Sequence, residues 1–181
     1  MDLGAIAQQL KEVKQGLNSQ ALPPVDDWNP EFCGNMNLVI KANGQWWHEG
    51  SPFTRAALVS LLASVLKKEA DDYFLVTPVE KIGISVEDVP FIIGDWQQDQ
   101  HVLTVTTQLG DSFVIDDSHP VELREYKDVL VPYCLVRRNL WARLHQNVLY
   151  QWVELARERT TTKSTELVIN SGDYEFVIGR Y

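Results

Sequence analysis

The sequence predicts an α+β fold made of two related halves, each an antiparallel sheet with one packed helix. Three observations predict it. First, Trp47 leads into Ser51-Pro52-Phe53-Thr54 and the apolar run Leu58, Val59, Leu61, Leu62, and Trp141, 94 residues later, leads into Gln146-Asn147 and Trp152, Val153, Leu155, Ala156. Identities at this offset are few (Trp47/Trp141, Val59/Val153, Leu61/Leu155, Ile84/Ile178), but the order strand, helix, strand, strand repeats. Second, many short β-branched or aromatic runs are separated by Gly, Pro, Asn and Asp, the pattern of antiparallel strands. Third, helical periodicity is confined to the N-terminus and to one stretch in each half. The expected units are residues 1–25 (helix and linker), 26–90 (first α+β domain) and 91–181 (second). Two related halves create a cleft between them, and small ligands favour such boundaries.

Taken in order, Leu3, Ile6, Ala7, Leu10, Val13 and Leu17 recur at helical spacing and mark an amphipathic helix ending near Gly16 or Asn18. Leu22-Pro23-Pro24-Val25-Asp26-Asp27 reads as an extended connector, because proline lacks a donor and disfavours helix before it. Strands at 36–42 and 45–49 flank Asn43-Gly44, a strong hairpin signal. Ser51 is placed to cap the next helix with Pro52 at its first position. Its stripe runs from Ala57 to Leu66, and Lys67-Lys68 complement its negative end. Strands follow at 73–76 and 79–86, broken at Thr77-Pro78.

A meander is expected next, with strands at 91–96, 102–107, 112–116, 121–125, 129–136 and 140–144. Pro132 belongs at an edge or bulge. Asn147 is placed to cap the last helix, which runs through Ala156 toward Arg159. A polar loop at 160–165 and a hairpin, 166–170 with 174–178, close the chain.

Composition narrows the function. A 181-residue chain with 45% hydrophobic and 23% charged residues is of the soluble globular class. No apolar run reaches the ~18–20 residues that span a bilayer. Met1-Asp2-Leu3-Gly4 lacks a basic, apolar leader, so the expected compartment is the cytoplasm. The net charge of −9 and the absence of a long basic run argue against duplex nucleic acid and anionic membranes as partners. Cys33 and Cys134 lie outside any CxxC or CxH pattern and are expected as thiols, Cys134 as a buried one.

No GxSxG, HExxH, Walker loop or GxGxxG occurs, so a non-catalytic protein without cofactor is favoured over an enzyme with an unrecognised site. His48, His101, His119 and His145 are too dispersed for a local metal motif. Asp116-Asp117-Ser118-His119 reads as a solvated strand end, since adjacent strand residues face opposite ways. The cations carry more information. Arg55 falls at the start of a helix, where a cation opposes the dipole and requires an acidic side chain or an anionic ligand. Lys81 alternates with Glu80 on a strand, and Arg137-Arg138 precede the second repeat. Cations gathered in a cleft of an acidic protein select a small anion.

The stretches Gly50-Ser51-Pro52-Phe53-Thr54-Arg55-Ala56-Ala57-Leu58-Val59, Tyr73-Phe74-Leu75-Val76-Thr77-Pro78-Val79-Glu80-Lys81-Ile82-Gly83-Ile84 and Val86-Glu87-Asp88-Val89-Pro90-Phe91 resemble the bacterial family called domain of unknown function 1285. The resemblance extends from Trp28 onward, and Thr77-Pro78-Val79-Glu80-Lys81 is its most specific part. It implies a duplicated core, a C-terminal half similar to pleckstrin-homology domains, a ligand (a nucleotide among the candidates) in the interdomain cleft, and a role in signal transduction without established catalysis. Arg55, Thr77, Glu80 and Lys81 lie in its motif segments.

The leading expectation is thus a regulatory protein that binds a small anion. Arg55, Lys81 and Arg137 supply charge, Thr77 and Glu80 hydrogen-bond, and Trp47 or Trp46 stacks on a base. The alternative is a protein-interaction adaptor that uses the first helix or the pleckstrin-like half.

Overall fold

The structure, a computed structural model, describes the backbone of residues 3–15 and 21–181 and the side chains of 3–12 and 21–181. The expected helix end at Gly16 or Asn18 and the stripe positions Val13 and Leu17 lie outside these described residues. The chain divides into two compact units, one ending at Asp88 and one beginning at Val89.

The first unit opens with helix α1 (Leu3–Gln15), whose Leu3, Ile6 and Leu10 are buried on the side facing α2. That apolar stripe, the sequence support for an adaptor, is used inside the unit. The connector is a turn: Val25 is fully buried, and its N–H bonds Pro23 O at 2.9 Å.

Strands β1 (Phe32–Ile40), β2 (Trp46–His48) and β3 (Ser51–Pro52) precede helix α2 (Ala56–Ala63). Strands β4 (Leu66–Glu69), β5 (Asp72–Val76) and β6 (Lys81–Val86) follow it. Together they form one sheet in the order β3-β2-β1-β6-β5-β4. Gly44 supplies the left-handed φ of +83° that the β1–β2 turn requires. Met36, Leu38, Ile40, Leu75 and Ile82 alternate onto the buried face of the sheet, and Leu62 of α2 is also fully buried.

Several local expectations are corrected in this unit. Ser51 and Pro52 do not start the helix; they pair with His48 and Trp47 as an edge strand, where a missing N–H is harmless. The helix begins after Arg55. It also ends early, because Ser64 Oγ bonds Leu61 O at 2.6 Å and the chain turns into β4. Lys67 and Lys68 therefore pair with Phe74 and Tyr73 rather than complementing a helix end.

The second unit begins with β7 (Phe91–Asp99), β8 (Val102–Thr107), β9 (Ser112–Val114), β10 (Val121–Tyr126), β11 (Val129–Arg137) and β12 (Leu140–Leu144). They form a sheet in the order β10-β11-β12-β7-β8-β9. Pro132 pairs with Leu123 of β10, just outside the β12 ladder that runs from Tyr133 to Arg137, so no β12 partner lacks a donor. Helix α3 (Gln146–Leu155) follows, capped by His145 rather than Asn147: His145 Nδ1 accepts from Asn147 N at 3.2 Å. Residues 157–160, expected as helix end and loop, form β13 (Arg157–Thr160), which joins β14 (Thr165–Ser171) and β15 (Tyr174–Arg180) in a separate three-stranded sheet. Trp152, fully buried, packs against Phe176 and edge-on to Trp96.

Both units are thus sheet-rich with a helix, as expected, and α1 is the third helix described. Each six-stranded sheet also holds one parallel pair, β1 with β6 and β7 with β12. In each case the chain rejoins an earlier strand after a long excursion, which is what parallel pairing demands. Among the described residues no helix is long and apolar enough to cross a membrane.

Candidate functional site

The candidate residues of the first unit fall on two different cavities. The first lies on the sheet face opposite the Leu75–Ile82 core. Phe74 pairs with Gly83 and Val76 with Lys81, so alternation puts Phe74, Lys81 and Gly83 on that face. The cavity measures about 370 Å³, and Phe32, Asn35, Asp72, Phe74, Lys81 and Gly83 help to line it. Phe32, 57% exposed, meets Phe74 edge-on at 6.1 Å. A Cβ at residue 83 would lie 2.1 Å from Asn35 Oδ1, so glycine lets the Asn35 side chain settle on the strand.

Lys81 is already neutralised there. Its ammonium pairs with Glu69 and sits 4.4 Å from the Phe74 ring centre, while Lys67 reaches the same carboxylate at 3.3 Å. The Lys81 hydrogen bond is the main cause holding the Glu69 carboxyl below its ordinary range, against the upward push of burial. The motif around Lys81 has a structural task. Thr77 is fully buried, and its Oγ1 accepts from Val79 N at 3.3 Å and Glu80 N at 3.0 Å. The threonine thereby closes the turn over Pro78 that delivers Lys81 to β6. Glu80, half-buried, takes part through its backbone.

The second cavity, about 470 Å³, lies between α1 and α2. Gly4, Ala7, Gln8 and Lys11, at i, i+3, i+4 and i+7, bring one strip of α1 to it, beside Leu3. Arg55, Ala57, Leu58 and Leu61 line it from α2. Arg55 is exposed, occupies the N-cap position with φ −93° and ψ 93°, and makes no side-chain cap. The first turn of α2 holds no acidic residue. Among the described residues no carboxylate pairs with Arg55 or Lys11, and none lines the cavity.

The remaining candidates lie elsewhere. Trp46 is buried in the core, whereas Trp47 is half-buried, donates to Gln45 Oε1 at 3.3 Å and lies 5.7 Å from Lys41 Nζ. Arg137 belongs to the second unit. Its guanidinium stands 4.8 Å from the Phe91 ring centre and bonds Asp111 Oδ1 at 2.6 Å. Burial pushes the pKa of Arg137 down, with Asp111 opposing.

A third cavity, in the second unit, is lined by Val121, Tyr174, Phe176 and Arg180 among others, and Arg180 pairs with Glu166 at 2.7 Å. His119 is held by Leu135 O at 3.0 Å and the Phe113 ring at 4.5 Å, and Asp116 accepts from Ser118 N and His119 N. No group of three or more potential metal ligands occurs among the described residues. Cys33 is exposed and Cys134 buried, both free, and burial drives the Cys134 thiol pKa far up.

Arg55 and Lys81, both expected to supply charge to a ligand, line separate cavities. Lys11 and Gln8 were not anticipated, because the α1–α2 contact that places them joins segments distant in sequence.

The N-terminal family model, domain of unknown function (DUF1285), matches residues 23–89, and the C-terminal model of the same family matches residues 90–178. The chain belongs to the DUF1285 family. A crystal structure of a DUF1285 family protein from Silicibacter pomeroyi DSS-3 is 32% identical over 99% of this chain and 95% of that one, with a TM-score of 0.82. A second, from Shewanella baltica OS155, is 34% identical over 65% of this chain and 90% of its own, with a TM-score of 0.53. No curated protein matches the chain. The two DUF1285 models meet between residues 89 and 90, beside the Asp88–Val89 boundary between the compact units.

Proposed function

We propose that this DUF1285 protein is a non-catalytic regulatory protein that binds a small anion between α1 and α2 of its first unit. One observation carries the reading: Arg55 and Lys11 line one cavity with no carboxylate partner among the described residues, in a chain of net charge −9. A cation at the positive end of a helix is unfavourable by about 0.3–1 kcal/mol. An anion held there changes the sign of that interaction. An arginine also matches a carboxylate or phosphate with two parallel hydrogen bonds. Lys81, by contrast, has an internal counter-charge that a ligand would first have to displace.

The test is a thermal-shift series with inorganic phosphate, adenosine nucleotides and carboxylates, on the wild type and on Arg55→Ala with Lys11→Ala. A ligand at 100 times its dissociation constant stabilises the native state by about 2.7 kcal/mol, enough to move the midpoint visibly. The expected result is stabilisation of the wild type that disappears in the double variant. An unmoved wild type across the whole series, or an equal shift in the double variant, rejects the reading.

A further inference from the structure

The groove between α1 and α2 combines its positive charge with a mainly apolar lining. Leu3, Ala7, Ala57, Leu58 and Leu61 line it, with Gly4 also on the α1 side. Among the described residues Gln8 is the only polar side chain in the lining apart from the two cations, and its amide donates to Glu12 Oε1 at 3.2 Å. No aromatic ring lines the groove among the described residues. A nucleotide presents a base that is held by stacking on rings and by hydrogen bonds along its edges. The groove offers neither. What it does offer is a cationic head site and an aliphatic channel, with a volume of about 470 Å³ that lies among ordinary ligand pockets.

We infer that the occupant is a free, unbranched alkyl carboxylate, a molecule of the fatty-acid class. Its carboxylate meets Arg55 and Lys11, and its tail runs along Ala7, Leu58 and Leu61. This rests on the anion-binding reading of the same groove and names its ligand class. The sheet-face cavity is the contrasting environment. It has aromatic walls in Phe32 and Phe74, but its cation is paired with Glu69. The two properties needed to hold an aliphatic anion, an uncommitted cation and a ring-free apolar lining, coincide in the helix groove.

The experiment is isothermal titration of the full chain with octanoate, decanoate and dodecanoate below their micelle-forming concentrations. Decanol, inorganic phosphate and adenosine monophosphate are the comparators. Two added methylenes should tighten binding by about 15-fold until the groove is full, from the transfer free energy of a methylene. Arg55→Gln should weaken each carboxylate by about 1.4-fold to fivefold, the range of a solvent-exposed charge pair, and leave decanol unchanged.

Ala57 is exposed on α2, so Ala57→Phe fills the groove without entering the core and should abolish the dependence on tail length. The unliganded melting curve of each variant separates lost binding from lost folding. Affinity indifferent to tail length, or adenosine monophosphate binding more tightly than dodecanoate, overturns the fatty-acid class while leaving anion binding intact. Tail-dependent binding that survives Ala57→Phe also overturns it. Arg55-dependent capture by anionic phospholipid vesicles without binding of free acid overturns it in favour of a lipid surface. If no anion binds, or if binding ignores Arg55→Gln and Lys11→Gln, the anion reading falls as well.

Discussion

The helices α2 and α3 hold corresponding places in the two units, yet their N-terminal ends are built in opposite ways. At α3, His145 turns its Nδ1 onto Asn147 N and closes the end with the chain's own side chain. At α2 the same position is Arg55, which caps nothing and adds positive charge to the positive pole. Neither first turn contains an acidic residue. The surrounding charges are largely paired in both units, with one exception. In the second unit Arg137 is matched by Asp111, and Arg157, Arg159 and Arg180 by Glu166 and Glu175. In the first, Lys41 is matched by Glu87 and Lys67 and Lys81 by Glu69, but among the described residues no carboxylate pairs with Arg55 or Lys11. Duplication preserved the order of the elements, but one helix end is capped by a side chain and the other is not.

The strongest way to break this comparison is to remove what anchors the closed helix. Trp152→Ala deletes a fully buried indole that packs against Phe176 at 5.5 Å and Trp96 at 6.3 Å. A loss of about 3–5 kcal/mol is expected, because aromatic-to-alanine changes in cores leave a cavity as well as lost burial. Urea unfolding measures it. A loss below about 1 kcal/mol would mean that α3 is held by its cap and by hydrogen bonds such as that from Trp96 Nε1 to Gln151 Oε1 instead.

Smaller changes sharpen the comparison by exchanging the two ends. Arg55→Asp gives α2 a carboxylate that can accept from Ala57 N and removes the opposing cation. It should stabilise the unliganded protein by about 1–2 kcal/mol while eliminating stabilisation by anions. The reverse change, His145→Ala, opens the end of α3 and should cost about 0.5–1 kcal/mol. Thermal melts of both variants check the pair. If Arg55→Asp is destabilising, Arg55 has a native task beyond awaiting a ligand, and the contrast between the helix ends collapses.

How far these features could be read from sequence depended on whether they are local. Strands 102–107 and 140–144 were legible to the residue, because alternation and flanking turn residues act within a few positions. The end of α2 was not. Val65 and Leu66 continue the apolar pattern, and only pairing of Leu66 with Leu75 shows them to lie beyond the helix. The cap at His145 was missed because Asn147 is intrinsically the better capping residue. At the site, Arg55 was legible as a cation in want of a counter-charge. Lys81 looked equivalent to it, since the Glu69 that neutralises it arrives through the β4-β5-β6 meander. The Thr77 segment was legible as a motif, but not as a hydroxyl turned onto its own backbone.

The smallest expected effect concerns pH. Glu166 is held below its ordinary value of 4.5, first by the Arg159 hydrogen bond and then by Arg180; Glu69 is held below the same value, first by Lys81. A carboxyl with a depressed folded pKa contributes stability that is present above its unfolded value and lost as pH falls through the folded one. Melting temperature should therefore decline as pH drops below about 4.5, and Glu166→Gln and Glu69→Gln should each flatten that acid limb. The Glu166 side chain is 10% exposed with two arginines on it, whereas Glu69 is 39% exposed. Solvent screens the more exposed pair more strongly, so Glu166→Gln should flatten the limb more and respond less to added salt. Equal flattening by the two variants would show that the lysines of the first unit hold Glu69 as firmly as the arginines hold Glu166. The contrast between the two units would then shrink to the helix ends alone.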